Sequence, residues 1–282
     1  MAVLREKLSF GIVLYNEKLE DSITFKSLVK SISMMSDKNN SKTSVYVFDN
    51  TPNKKDQLTN SYVEYDSHTE VLYFSENQNR GLPYAYNFFA DEASENGKEW
   101  LVLLDQDTDL PVDFFEKYIS INPAIPIHCP LVFSNKSLMS PSYYRNYRAS
   151  SMEIPQTDFI PLKDATCINS GLMVNINYFK QVGGYDSALF LDFCDHDFIG
   201  RVKKNGGDRL GIIPVELSQQ FSAQTHTKRQ ALARYRLFLQ DLKQYYKNKN
   251  VLKILFLVDL PRILRLIIKY RTIQPLIIRI YK

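Results

Sequence analysis

The chain has 282 residues and an ordinary globular composition, 44% hydrophobic and 23% charged, without low-complexity segments or internal repeats. Its three cysteines, Cys129, Cys167 and Cys194, are widely spaced and form no CxxC pair. This pattern argues against a zinc site or a disulfide framework and favours a reducing cytoplasm. The N-terminus carries charges before only a brief apolar run, so no signal peptide is expected.

The net charge of +4 is unevenly distributed along the chain. Residues 228–282 contain 14 Lys or Arg and two Asp or Glu, a local balance of +12, which leaves a balance of −8 for the remainder. We therefore predict two regions with different partners: a globular domain over residues 1–227 and a basic helical tail over residues 228–282.

The first hundred or so residues alternate between two patterns, short apolar runs and longer amphipathic segments. Strands are predicted at 8–16, 44–50, 70–77 and 100–107, and helices at 18–33 and 81–97. Pro83 would lie in the first turn of the second helix, where proline is tolerated. This alternation predicts an α/β, Rossmann-like fold, with a mostly parallel central sheet and helices on both faces.

Polar residues gather where each of these strands ends. The strand ends carry Tyr15, Asn16 and Glu17; Asp49 and Asn50; Asn77, Asn79 and Arg80; and Asp105 and Asp107. Any one of them alone is equally well explained as a turn former or a helix cap. Ligands of open α/β sheets bind beyond the carboxyl ends of the strands, so four polar ends together predict a binding crevice.

Asp105 and Asp107 follow the apolar run of residues 100–104 and are separated by one residue. On an extended backbone they point to the same side, where two carboxylates repel each other. A divalent cation relieves this repulsion, and Mg²⁺ typically combines one or two carboxylates with substrate phosphates. The pair therefore suits a nucleotide diphosphate, whereas Asp109 is expected to help begin the next helix, near residues 111–119.

A second acidic cluster lies further along the chain. "GLMVN" is predicted as a strand, and "YFKQVGGYD" as a short helix that ends at Gly183 and Gly184. Asp195 and Asp197 then begin another helix, which carries basic residues toward its end. The helix dipole favours acidic residues at this position, and this structural explanation is left open beside a catalytic one.

Five segments taken together resemble a known family. They are "VLYNE", "VFDN", "NQNRGLPYAYN", "LLDQDTDLP" and the long "SGLMVN…VGGYDSALFLDFCDHDFIGR". In order and spacing they resemble the family 2 glycosyltransferases of the GT-A fold, most closely the bacterial rhamnosyltransferase-like branch, over roughly residues 8–245. The resemblance implies an inverting, metal-dependent transfer of a sugar from a nucleotide diphosphate sugar to an acceptor hydroxyl, with Mg²⁺ or Mn²⁺.

The resemblance also implies a role for each matching residue. Asp195 would be the general base and Asp107 the direct metal ligand, with Asp105 and His226 as further candidates for the metal shell. The nucleotide sugar would be contacted by Tyr15, Asn16, Glu17, Asp49, Asn79, Arg80, Gly81, Asp105 and Gln106. Tyr15 would stack on the base, Asp49 would bond to it, and a bulkier residue at 81 would block the nucleotide. The supporting residues would be Gly171, Asp197 and Arg201, the last as an ion-pair anchor.

The sequence departs from the family at one point. The family often places a histidine after the acidic helix to complete the metal shell, and the equivalent segment here, "VELSQQFSA", offers Gln219 or Gln220. His226 follows a few residues later. Reduced dependence on metal is therefore left open.

The basic tail is expected to bind a membrane surface rather than to cross it. Its longest apolar run, Ile254 to Val258, is far shorter than the roughly 20 residues of a span. Arg262, Arg265 and Lys269 share one helical face and Ile263, Leu266, Ile267 and Tyr270 another, as in an interfacial helix. Packing on the domain and a homodimer contact are the alternatives. No motif for nucleic acid accompanies the basic charge.

These features predict a peripheral enzyme on the inner, cytoplasmic face of the cell membrane. Its donor would be dTDP-L-rhamnose, by resemblance only, and its acceptor a lipid-linked glycan in cell-surface polysaccharide synthesis. A UDP-hexose donor is the first alternative. A sugar nucleotidyltransferase and a non-catalytic membrane-bound scaffold of the same fold are the others; the former should carry a glycine-rich, basic loop near the first strand, where "VLYNEKLED" stands.

Overall fold

A computed structural model of the protein describes residues 2–35, 42–53, 60–219 and 227–281. The strands are β1 (Leu8–Leu14), β2 (Thr43–Asp49), β3 (Ser61–Glu64), β4 (Thr69–Ser75), β5 (Trp100–Asp105), β6 (Ile127–Ser134), β7 (Ser137–Ser140), β8 (Ser142–Arg145), β9 (Arg148–Ser150), β10 (Phe159–Pro161), β11 (Ala165–Thr166), β12 (Leu172–Asn175) and β13 (Arg209–Ser218). The helices are α1 (Ala2–Lys7), α2 (Ile23–Met34), α3 (Leu82–Glu95), α4 (Phe114–Ile119), α5 (Ile176–Gln181), α6 (Cys194–Lys204), α7 (Lys228–Tyr245), α8 (Val251–Ile254), α9 (Leu260–Tyr270) and α10 (Gln274–Tyr281), with a π-helical turn (Leu255–Asp259) between α8 and α9.

Ten of the thirteen strands in the described ranges form one large sheet, in the order β10-β13-β6-β12-β5-β1-β2-β4-β3, with β7 paired to β6, and β8, β9 and β11 form a second, small sheet. The centre of the large sheet, β5-β1-β2-β4, is entirely parallel. Strand β12 runs antiparallel between β5 and β6, and β3 runs antiparallel at the far edge. The predicted α/β fold with a mostly parallel central sheet is confirmed.

The sheet is covered on both faces, which explains why every residue of β1 and β2 is buried. On one face, Phe10, Ile12 and Leu14 of β1 pack with α2 and α4. On the other face, Val13 packs with α3, α5 and α6. The predicted helix at 18–33 begins only at Ile23, because the Ser22 hydroxyl caps it by accepting the Phe25 N–H at 3.2 Å.

The tail helices form a third apolar cluster of their own, built on Tyr235, Phe238 and Leu239 of α7. A buried carboxylate, Asp259, joins three elements of this cluster: it accepts the Tyr235 hydroxyl at 2.7 Å and the Arg279 Nε at 2.5 Å. The tail is therefore a packed, internally bonded unit of the molecule.

The predicted exposure of one tail face is wrong. Ile263 is buried in the tail cluster, and Leu266 and Ile267 are partly buried against it. Arg262 also turns inward, with its guanidinium 3.8 Å from the Phe238 ring centre. The apolar face that the sequence suggested for a membrane is thus the face that covers α7. Different apolar residues of the tail are exposed instead, among them Leu264 and Ile268.

Among the helices of the described ranges, none combines the length and the apolar character that a bilayer crossing requires.

Candidate functional site

The polar strand ends lie side by side at one edge of the sheet. In the parallel register, Leu14 of β1 pairs with Asp49 of β2, and Val13 pairs with Asp105 of β5. Asp49 pairs in turn with Ser75, the last residue of β4. Because the four strands end at the same level, the residues that follow them open onto one crevice, as predicted.

The loop after β1 is fastened to its neighbours by side chains of two other strand ends. The Gln106 amide accepts the Tyr15 N–H at 2.6 Å and donates to the Tyr15 carbonyl at 3.3 Å. The Asn16 N–H donates to the Thr51 hydroxyl at 2.7 Å, and Asn16 adopts a left-handed backbone with φ 56°. The Tyr15 side chain is left 47% exposed, so its ring is accessible for stacking.

Asp49 is fully buried and faces protein donors. Its carboxylate accepts the Tyr73 hydroxyl and, at 2.9 Å, the Thr51 N–H. These bonds hold the β2 end and the loop that receives Asn16. A contact between Asp49 and a nucleotide base stays a prediction.

Residues 79–81 are braced from two sides. The Asn79 Oδ1 accepts the Gly81 N–H, and the Asn50 Oδ1 accepts the Arg80 N–H, both at 2.9 Å. The Arg80 guanidinium lies 4.2 Å from the Tyr84 ring centre. Gly81 has φ 83°, and a Cβ there would lie 2.4 Å from the Phe190 carbonyl oxygen. The group that a larger residue at 81 meets first is therefore this backbone oxygen.

The Asp105 carboxylate is held by Ser170 and by Gln219, one of the two glutamines that stand where the family often has its metal-shell histidine. The Ser170 hydroxyl and, at 3.0 Å, the Gln219 Nε2 both donate to its Oδ2. Burial raises the pKa of Asp105, the charges of Asp107 and Asp195 raise it further, and the two hydrogen bonds lower it in part. Ser170 stands immediately before Gly171 in the "SGLMVN" segment, which was the only available signal for it.

The acid groups on the outer side of the crevice are Asp107 and Glu17. Desolvation raises the pKa of the Asp107 carboxyl. The pKa of Glu17 is raised by burial and then by the charge of Asp107, whereas Lys26 lowers it. Two neighbouring carboxylates with raised pKa values form a site where a cation would stabilise the negative charge. Carboxylate oxygens are ligands of Mg²⁺ and Mn²⁺.

The described residues supply only part of a metal shell. No group of three or more His, Cys, Asp or Glu side chains in them is arranged to hold a metal ion. The donor set fits a cation that binds through Asp107, with Asp105 beside it, and completes its shell with phosphates of the substrate. His226 and Gln220, the other candidates, lie outside the described residues.

Asp195 is the second residue of α6, on the other acidic segment that the sequence singles out. The Asn169 Nδ2 donates to the Cys194 Sγ at 3.4 Å and the neighbouring Ser170 donates to Asp105, so the start of α6 lies near the end of β5. The Asp195 Oδ1 accepts the His196 N–H at 2.7 Å. The His196 ring stacks on Tyr144 at 4.4 Å and lies 3.0 Å from the Thr166 hydroxyl. Aromatic rings thus line the Asp195 side.

The residues predicted to support the site, Gly171, Asp197 and Arg201, make structural contacts. Arg201 forms the predicted ion pair with Asp197 at 2.8 Å and also donates to the Gly183 carbonyl at 3.1 Å. Gly171 has φ 78°, and a Cβ there would lie 2.7 Å from the Tyr118 hydroxyl oxygen. Asp197 therefore points to Arg201, and Asp195 is the acid of the first turn of α6 that this ion pair does not use.

No protein-family model matches the chain. Among curated proteins, it is 28% identical over 142 residues to the dTDP-rhamnosyl transferase RfbF of Shigella flexneri, a match that covers 49% of this chain and 47% of that protein. The matched part of the chain thus spans about half the length of this relative.

Solved structures resemble the chain over most of its length. GalNAc-T7 with UDP, GalNAc and Mn²⁺ has a TM-score of 0.57 at 14% identity and covers 83% of this chain and 47% of that one. TarS 1–349 of S. aureus has a TM-score of 0.52 at 11% identity, and the match covers 90% of this chain and 76% of that one. The mannosyltransferase PcManGT of Pyrobaculum calidifontis, with GDP-Man and Mn²⁺, has a TM-score of 0.51 at 12% identity, and the match covers 86% of this chain and 65% of that one. At these identities the likeness establishes the architecture: the chain has the GT-A fold.

Proposed function

We propose that the protein is an inverting glycosyltransferase that moves a sugar from a nucleotide diphosphate sugar to an acceptor hydroxyl. The observation that carries this proposal is the meeting of two acidic groups in one crevice. Asp105 ends β5 and Asp107 follows it, Asp195 is the second residue of α6, and Ser170 and Asn169 bond to Asp105 and to Cys194 respectively. A donor-side and an acceptor-side acid within one site are what sugar transfer requires.

The chain's own residues divide the work between the two sides. Tyr15 presents its ring to the nucleotide base, and Asp107 faces the diphosphate. Asp107, with Asp105 beside it, would hold a divalent cation there, and that cation would supply positive charge to offset the charge that the leaving diphosphate gains. Asp195 accepts the proton that the acceptor hydroxyl loses as it attacks, assistance worth roughly 10²–10⁴-fold. Base and leaving group lie on opposite faces of the sugar, so the anomeric carbon is inverted without a covalent intermediate.

For the donor we propose dTDP-L-rhamnose, on the strength of the 28% identity to a dTDP-rhamnosyl transferase over about half the chain. A UDP-hexose is the second candidate, supported by the structural likeness to GalNAc-T7 with UDP and GalNAc. Asp195 favours transfer over nucleotidyltransferase chemistry, because nucleotidyl transfer to a sugar phosphate has no acceptor hydroxyl to deprotonate. Asp195 also favours an enzyme over a non-catalytic scaffold, because a scaffold needs no general base.

For the acceptor we propose a lipid-linked glycan of cell-surface polysaccharide synthesis, reached from the cytoplasmic face of the membrane. The support is the basic tail, with a balance of +12 over residues 228–282. Leu252, Phe256, Leu264 and Ile268 expose apolar side chains there, with basic residues between them. An anionic lipid surface complements both the charge and the apolar side chains.

A thermal-shift screen tests the donor and the metal together, because a ligand that binds only the folded protein stabilises it. The full chain is heated with dTDP-L-rhamnose, UDP-glucose, UDP-N-acetylglucosamine or GDP-mannose, each with and without Mn²⁺ or Mg²⁺. We expect the largest shift with dTDP-L-rhamnose plus metal, and slow release of dTDP from that donor in water. If no nucleotide sugar stabilises the protein or is hydrolysed, the proposed activity is wrong.

A further inference from the structure

The turn that leads into α6 is bound by a single carboxylate of the tail. Asp241 of α7 accepts the backbone N–H groups of Phe190, Leu191 and Asp192, each at 2.8 Å. The Asp241 side chain is fully buried. Three consecutive N–H groups turned toward one buried acceptor fix the path of the backbone, because each would otherwise be left unpaired away from water.

The side chains of the same turn are also held by the tail. The Asp192 carboxylate pairs with both terminal nitrogens of Arg234 on α7, and the guanidinium of Arg262 on α9 lies 3.9 Å from it. The Phe193 ring stacks on Tyr245 with centroids 5.1 Å apart. Two parallel hydrogen bonds between an arginine and a carboxylate fix the orientation of both side chains, so the Asp192 side chain is held as well as the backbone.

On its other side the turn contacts the donor half of the crevice. The Phe190 carbonyl accepts the Leu82 N–H at 2.9 Å and leaves room only for a glycine at 81. Phe193 adopts a left-handed backbone with φ 65°, and α6 begins at the next residue. The turn thus lies between the tail and residues 80–82, and Asp195 follows it by three residues.

We propose that Asp241 is a positioning residue, through which the tail sets the place of Asp195 relative to the bound donor. This inference rests on the proposed function, in which Asp195 is the general base. The tail is then part of the catalytic apparatus as well as its membrane attachment. A small displacement of a reacting group is costly, about 100-fold for 1 Å, so release of the turn should slow the chemical step.

The test compares Asp241→Asn with Asp259→Asn in the full chain. These are the two acidic residues of the tail, both are fully buried, and among the described residues Asp259 bonds within the tail, to Tyr235 and Arg279. Both variants should lose thermal stability. The kcat for release of dTDP from dTDP-L-rhamnose should fall by about 10- to 100-fold in Asp241→Asn and should not fall in Asp259→Asn. The Kd of Asp241→Asn for dTDP should stay within about twofold of the wild-type value.

Hydrogen exchange supplies a readout that does not depend on turnover. Peptides spanning residues 186–195 should exchange faster in Asp241→Asn and unchanged in Asp259→Asn. Equal loss of kcat in both variants, or unchanged exchange in Asp241→Asn, would overturn the positioning role. If the wild-type protein hydrolyses no donor, the proposed function fails, and the exchange comparison alone decides whether Asp241 holds the turn.

Discussion

At the scale of single residues, Asp195 is the group whose removal should separate chemistry from binding. Asp195→Asn keeps the size of the side chain but cannot take a proton, so transfer should fall by about 10²–10⁴-fold. The Kd for the donor, measured by calorimetry, should stay unchanged. Asp197→Asn is the matched control: it lies in the same first turn and disrupts the Arg201 ion pair without touching the base. Retention of most activity in Asp195→Asn would disprove the assignment.

Asp107 carries the second prediction at this scale. The residue as a whole is exposed, but partial burial of its carboxyl raises the pKa, so a cation beside it would stabilise the charged form. Asp107→Ala should weaken metal-supported donor binding by about tenfold or more in a Mn²⁺ titration followed by thermal shift. Asp109→Ala, two residues further and also exposed, should titrate like wild type. An unchanged titration in Asp107→Ala would remove Asp107 from the metal site.

At the scale of elements, the pairing of β6 with β13 encloses a histidine. His128 pairs with Gly211, and a Cβ at 211 would lie 2.0 Å from the imidazole Cδ2. Burial lowers the pKa of His128 to about 4, and a backbone contact with Asn122 offsets only part of this. The folded protein therefore keeps His128 neutral at pH values where the unfolded chain already binds a proton.

The sign of the pH effect follows from that difference. Below the unfolded pKa of about 6.5, protonation favours the unfolded chain, so this contribution to stability is lost as the pH falls toward 4. Between pH 7 and 5 the loss is about 2 kcal/mol. Urea unfolding of His128→Leu, which cannot titrate, should show a decline smaller by that amount. An identical decline in both proteins would contradict the buried, neutral histidine.

The sequence predicts the parallel half of the sheet well and the antiparallel half poorly. β1, β2, β4 and β5 are runs of six or seven mostly apolar residues, the first two and β5 buried on both faces and β4 mainly on one, and such runs are visible without knowledge of the fold. The strands of residues 137–166 have only two to four residues, too few for a periodic pattern to emerge. Ser170 was missed for a related reason, because only the folded chain brings it to Asp105; Gln219 was named only in place of the metal-shell histidine, and its bond to Asp105 was not foreseen.

The tail shows why periodicity alone cannot choose the exposed face. Residues 251–270 form one helix interrupted by the π-helical turn, and such a turn holds one residue more than an α-helix allows. One residue corresponds to about 100° of rotation. The insertion therefore brings Leu252 and Phe256 into phase with Leu264 and Ile268, and all four are exposed. A helical wheel drawn with the same rotation for every residue does not show this alignment.

At the scale of the whole molecule, the turn that Asp241 holds is one of several contacts that join an acidic body to a basic tail. The body has a balance of −8 and the tail one of +12. On an anionic membrane this asymmetry would orient the protein, since the surface attracts the tail and repels the body. The crevice would then be presented by the same helices that touch the lipid, which suits an acceptor carried on a lipid.

Vesicle binding tests this arrangement. The full chain should sediment with vesicles containing phosphatidylglycerol, much less with pure phosphatidylcholine, and less at high salt, because each basic residue near an anionic surface contributes about 1 kcal/mol. Leu264→Glu with Ile268→Glu should weaken binding at least about tenfold, since each side chain loses about 1.5–3 kcal/mol of apolar burial. The control is Val112→Glu with Ile154→Glu, equally charged and exposed, on the body. Equal weakening by both pairs would mean that net charge alone drives binding and that the exposed tail face does not contact lipid.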